Sequence, residues 1–352
     1  AALVILLLAP ESLLSASFQM SFAAVTALVA GYEVVTLRRA GRAGERGMGG
    51  RIALYLAGVA LTSVIAILAT APFAVYHFNR MAWYGLAANL VAVPLTGFWI
   101  MPWALVAFAL MPFGLEALAL QPMGWGIGAV IAVAEHIAGL PGAVTPVRAL
   151  PLAGFALIVL GGLWLCLWQR PWRLYGLIAV ALGLLSLALA RPPDLLVSED
   201  GKLMALRDPE GRMWLSSTRT ARFTAETWLR RAGQGEGLSW PNGVEGRPNG
   251  LTCDTLGCIY RRAGWSVALA QRKAALEEDC REVRVLISRE PVPKHRCRGP
   301  EVVIDRFDLW REGGHALWLA GEEVRVESVA KRRGARPWVP RRAPERTARS
   351  NQ

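Results

Sequence analysis

The 352 residues combine 53% hydrophobic side chains and a positive mean hydropathy with 39 Lys and Arg against 27 Asp and Glu. Residues 1–190 hold only nine of the basic residues and five of the acidic ones, a net of +4, which leaves thirty and twenty-two, a net of +8, for residues 191–352. So uneven a distribution excludes a chain that is soluble throughout: one half suits lipid and the other suits water.

The opening Ala-Ala-Leu-Val-Ile-Leu-Leu-Leu-Ala has no Met, basic n-region or cleavage site, so it does not read as a signal peptide. We expect the numbering to begin partway through a transmembrane helix, behind a missing N-terminal part. Spans of about 17 to 25 apolar residues are needed to cross the hydrocarbon. Candidates are Ser15 to Gly31, Ile52 to Val75, Trp83 to Leu110, Leu115 to Gly139, Ala149 to Trp168 and Leu174 to Ala190. The third is too long and contains Pro94 and Pro102, which predicts a broken helix or two half-helices.

Five Arg in Leu37 to Arg51 and two in Gln169 to Arg173 place both loops on the cytoplasmic side, with four spans between them. The last span then exits and carries the soluble half to the outer face. In Ser15 to Phe22, Ser17 and Ser21 lie one turn apart, and with Gln19 they suit either a water-lined path or a small-residue helix contact. Asn89 is expected to bond carbonyls freed by the Pro94 break, and Asn89 and Pro94 are further channel-lining candidates. Glu11, Glu116, Glu135 and His136 fall near span ends, which gives a proton relay little support, and His77 with Arg80 reads as a solvated interfacial pair in an outer loop. Cys166 is expected to be buried and inert.

Beyond Arg191 the pattern shifts to short β-type runs at 195–198, 202–207 and 212–216, separated by turn residues, which predict a meander. A helix is expected over Thr220 to Arg231 and a loop over Gln234 to Gly250. Further strands are expected at 266–270, 283–288, 302–304, 316–319 and 324–329, with a short helix at Gln271 to Cys280, which makes an α+β domain. Cys253, Cys258, Cys280 and Cys297 allow two disulfides in an oxidising compartment, with Cys253 to Cys258 and Cys280 to Cys297 favoured; a zinc site is the alternative. The Arg-rich segment 331–352 is expected to be a disordered tail able to attract DNA or anionic membrane lipid.

The Ser15-Ala-Ser17-Phe-Gln19-Met-Ser21-Phe element and the Asn89-Leu-Val-Ala-Val-Pro94 element, in that order around a basic loop, resemble the later part of the competence domain of the ComEC family of DNA-uptake channels. The resemblance implies a polytopic α-helical membrane bundle that carries single-stranded DNA inward during natural transformation. Other competence-machinery proteins would be its partners, and a homo-oligomer is compatible with it. The soluble half resembles a shortened, degenerate metallo-β-lactamase-like domain. That fold requires an HxHxDH cluster, whereas only His295 and His315 stand here, so neither an enzyme, a bound metal nor any other cofactor is expected. Asp305 and Asp308 read as turn or salt-bridge residues. A membrane-tethered hydrolase or nuclease and a small-molecule transporter are the competing functions.

Overall fold

The computed structural model describes residues 2–39, 47–240, 250–262, 264–293, 295–321, 323–336 and 339, and it divides into two compact units, Ala1–Ala190 and Arg191–Gln352. The first unit opens with α1 (Ala2–Leu8) and a 3₁₀ turn, after which Ser15 caps α2 (Ala16–Arg39) by accepting the amide of Phe18. Most of the basic loop that follows, residues 40–46, lies outside the described residues. Helix α3 (Met48–Phe78) ends where Asn79 turns left-handed (φ 55°), a conformation that Asn tolerates better than most side chains. The chain then forms β1 (Arg80–Ala82).

 Helix α4 spans Gly85–Leu95, the π turn spans Thr96–Ile100, and α5 (Met101–Leu110) follows without a break. Next come α6 (Ala117–Ala138), β2 (Val144–Pro146), α7 (Leu152–Leu167) and α8 (Tyr175–Leu189).

Among the described residues, five helical stretches are long and apolar enough to cross a membrane, and α7, at 16 residues, is shorter. The expected break in the third span is not one. Pro94 and Pro102 cannot donate to the helical ladder, and the π turn between them changes the register, Met101 N–H reaching Thr96 O, so that the helix runs through. β1 pairs antiparallel with β2, which joins the α3–α4 connection to the α6–α7 connection at one end of the bundle. At that end Phe155 stacks on Tyr76 (4.0 Å between centroids) and meets Phe73 edge-on.

Helices α7 and α8 form a hairpin in which glycine faces glycine. A Cβ on Gly161 would stand 2.6 Å from Gly176 O, and one on Gly183 would stand 2.6 Å from Gly154 O. Side chains could not relieve such contacts, because the opposing atoms belong to the backbone.

The second unit is a sandwich of two sheets with helices outside. One sheet has the order β13-β12-β3-β4-β5-β6, built from β3 (Leu195–Val197), β4 (Met204–Arg207), β5 (Met213–Leu215), β6 (Leu238–Ser239), β12 (His315–Ala320) and β13 (Glu323–Ser328). The other has the order β11-β10-β9-β8-β7, built from β7 (Leu251–Cys253), β8 (Gly257–Arg262), β9 (Trp265–Ala270), β10 (Val285–Ser288) and β11 (Val302–Ile304). Leu195, Leu206, Tyr260, Leu269, Ile287 and Leu317 fill the space between them. Outside the first sheet lies α9 (Arg222–Ala232), and outside the second lies α10 (Leu276–Glu282). The meander β3–β4–β5 forms as its turn residues predict. The 234–250 loop contains β6, and residues 241–249 are outside the described residues.

Two further helices complete the unit: α11 (Arg306–Glu312) and α12 (Val329–Arg333). The first three residues of the basic tail thus finish a helix, capped by Ser328, while 337–338 and 340–352 are outside the described residues.

Candidate functional site in the membrane unit

Helix α2 carries polar side chains to two levels of the bundle. Near its start, His77 Nε2 donates to Gln19 Oε1 (2.8 Å), and Gln19 Nε2 donates to Leu13 O (3.0 Å). His77 is therefore a half-buried residue of the last turn of α3, bonded to α2, and not part of a solvated loop pair. Sequence reading missed it because hydropathy gives no cross-helix partner.

About two-thirds of the way along, Tyr32 Oη lies 2.7 Å from Thr62 Oγ1. The Thr62 hydroxyl donates to Gly58 O, which leaves Tyr32 as the donor of the pair. These groups, with Tyr55, Ser63 and Val93, line an open cavity of about 340 Å³ between α2, α3 and α4. Ser63 is buried, and Val93 precedes Pro94 directly. Several hydroxyls around one cavity make a site that water can wet.

The next residue after Tyr32, Glu33, accepts from Gln169 Nε2 through Oε1 (2.6 Å). That bond ties the C-terminal half of α2 to the α7–α8 turn, while the β1–β2 ribbon joins the α3–α4 and α6–α7 connections.

The sequence-derived lining residues separate in space. Ser17 and Ser21 are exposed, in line with Val25 and Val29, whereas Gln19 is half-buried against α3. At 100° per residue Gln19 stands some 200° around the helix from either serine, so the three cannot share a face. Asn89 and Pro94 are half-buried, and the π turn begins two residues after the proline. Cys166 is a free, half-buried thiol in α7.

In the soluble unit Cys253 is bonded to Cys258 across facing positions of β7 and β8, and Cys280 to Cys297 across 17 residues. Beside the second bond, burial pushes the Asp279 carboxyl up to about 6, helped by the negative charges of Glu278, Asp254 and Glu282. Asp305 and Asp308 form a capping box on α11: Asp305 Oδ1 accepts the amides of Phe307 and Asp308, and Asp308 Oδ2 accepts that of Asp305. His315 is buried with Nδ1 2.9 Å from Gly313 O, and His295 is exposed. Among the described residues no group of three or more His, Cys, Asp or Glu is placed to hold a metal ion.

A family model described as Competence protein matches residues 1–172. No curated protein and no solved structure matches the chain.

Proposed function

Residues 1–172 belong to the Competence protein family, a multi-pass membrane domain, and from that premise we propose that the chain is a channel component that imports single-stranded DNA during natural transformation. The observation that carries the reading is the hydroxyl-lined cavity beside α2, since a polyanion crosses a bilayer only along wetted, hydrogen-bonding walls. The exposed Ser17 and Ser21 face offers a second wettable surface on the same helix. In this proposal the bundle sits in a bacterial cytoplasmic membrane with the soluble unit on the outer face, and it works with other competence-machinery proteins. Two disulfides in the soluble unit support that side, because such bonds persist in oxidising compartments. The two-sheet core is compatible with a shortened, metal-free relative of the metallo-β-lactamase fold.

The test is DNA uptake by cells carrying Ser17→Leu with Ser21→Leu, and separately Tyr32→Phe with Thr62→Val. Normal accumulation with uptake lowered at least tenfold in either variant is the expected result. Wild-type uptake by both variants, with both accumulating normally, would remove α2 from the path. Cysteines introduced singly at Ala43 and Gly235 test the side: an impermeant thiol reagent applied outside should label only the second.

A further inference from the structure

Three indoles pack against one another at the turn between α7 and α8. Trp164, Trp168 and Trp172 are in mutual ring contact, with centroids 5.4, 5.5 and 4.5 Å apart. Trp164 Nε1 donates to Trp172 O (3.3 Å), which fixes the turn from within. Trp168 and Trp172 nevertheless stay 40% and 42% exposed, and among the described residues no acceptor meets their indole N–H groups.

Two arginines flank Trp172. Arg170 is exposed and Arg173 half-buried, and among the described residues neither guanidinium has an ion pair or a side-chain hydrogen bond. The acid bonded to this turn, Glu33, accepts from Gln169 and forms no ion pair with either arginine. Two like charges this close in one turn repel each other, so an anion between them is stabilising. The depth of the turn selects the anion. Helix α7 has 16 residues, and the apolar stretch that contains α8 already starts at Pro171, so Trp172 and Arg173 belong to it. Neither helix has residues to spare that would carry the turn past the headgroups. Indoles suit the same layer, with the ring toward the tails and the N–H toward the polar side. The anion within reach there is the phosphodiester of a phospholipid, to which a guanidinium can donate two parallel bonds.

We propose that the α7–α8 turn is a binding site for one anionic phospholipid, with its phosphate between Arg170 and Arg173 and its headgroup oxygens accepting from the indole N–H groups of Trp168 and Trp172. A lipid whose headgroup is anionic fits better than a zwitterionic one, because the ammonium of a choline or ethanolamine headgroup is repelled by the same two arginines. The site stands on the turn alone and does not depend on what the bundle transports.

The experiment titrates the full chain in mild detergent with phosphatidylglycerol and counts the lipid retained by native mass spectrometry. One phosphatidylglycerol should be held more tightly than any further copy and more tightly than phosphatidylcholine with the same acyl chains. Arg170→Gln with Arg173→Gln should weaken that first site about 30-fold, as loss of two arginines from a lipid contact implies. Arg170→Lys with Arg173→Lys, which keeps the charge and loses the paired bonds, should fall between the two. Arg51→Gln, which removes an exposed arginine of α3 outside this turn, should change nothing. Phosphatidylcholine held as tightly, a glutamine double variant that keeps the site, or an equal loss with Arg51→Gln would each overturn the proposal. So would displacement of the lipid by inorganic phosphate, since the occupant would then be a free anion. A second measurement needs no variant: phosphatidylglycerol with a photoreactive headgroup, in nanodiscs holding the wild-type chain, should label the peptide that contains Trp168 to Arg173. Labelling confined to other peptides would reject the site.

Discussion

In the soluble unit Leu206, Leu269, Ile287 and Leu317 are shut between two sheets, at 2% exposure or less. In the membrane unit Leu105, Leu118, Leu160 and Leu189 are 63–73% exposed, and buried positions of α7 and α8 include Gly154, Gly161, Gly176 and Gly183. The same residue types have exchanged places. Water expels apolar surface, so large side chains drive the soluble core together. Lipid tails are as apolar as leucine and give no such drive, so the hairpin is held by close backbone approach, which only the smallest residue permits.

Exchanging leucines across that divide is the strongest test. Leu206→Ala should lower the stability of the soluble unit by about 2–5 kcal/mol through a cavity, whereas Leu160→Ala on the exposed face of α7 should change the membrane unit by no more than about 0.5 kcal/mol. Thermal unfolding of the full chain in detergent measures both. Equal losses would mean that Leu160 meets protein rather than lipid.

The cross-links come next, since the soluble unit adds covalent ties to its core. Replacing Cys280 and Cys297 with Ser opens a loop of 17 residues and should cost about 3 kcal/mol, against about 2 kcal/mol for the five-residue loop of Cys253 and Cys258. Unfolding with and without reductant gives the comparison. A larger loss at the shorter loop would show that β7 and β8 rely on their bond for pairing.

On the membrane side, Gly161→Ala forces a methyl group against Gly176 O and should cost about 1–3 kcal/mol, while Gly162→Ala, whose Cβ would meet nothing within 4 Å, should be close to neutral. Accumulation and detergent melting of the two single variants decide it. If both behave alike, the hairpin does not depend on contact between backbones.

The smallest effect concerns Asp279. Its folded carboxyl titrates at about 6 against 3.8 in a model compound, so between those values the folded state holds a proton that the unfolded chain releases. Stability should therefore fall as the pH rises from about 4 to 6 and stay lower above it. Asp279→Asn should flatten that slope and add about 1–1.5 kcal/mol at pH 7, half or less of the value implied by the full shift, to allow for residual solvent screening. Urea unfolding at pH 5 and pH 7.5 would detect the change, and an unaltered slope would place the titration elsewhere.

How much of this was legible in sequence depended on range. The spans and the β3–β4–β5 meander rest on local hydropathy and turn chemistry, and they could be read directly. β8 was missed although Cys258 and Tyr260 face inward and Ile259 and Arg261 do not, because Gly257 and two arginines hide a short alternation. α11 was missed because Asp305 and Asp308, taken as turn or salt-bridge acids, are the capping box that starts it. The break expected at Pro94 assumed that freed carbonyls need a gap, but the helix passes both prolines with only a π turn between them. In the candidate site, Gln19 was visible as a polar residue. Its partner His77, 58 positions away, was not, and neither was the Tyr32 to Thr62 contact, since no local pattern encodes which helices become neighbours.

The hairpin of α7 and α8 also bears on the order in which the chain is built. Sixteen helical residues reach about 24 Å, short of the roughly 30 Å of hydrocarbon, so α7 alone is a weak candidate for release into the bilayer. Its glycine face finds its complement only once Gly176 and Gly183 have been synthesised, and the turn between the helices is too tight to keep them far apart. The two helices would then leave the insertion machinery as a pair, after Leu189 has emerged from the ribosome. The start of the soluble unit follows at once, so integration of the last two helices and the fate of everything downstream become a single event in synthesis.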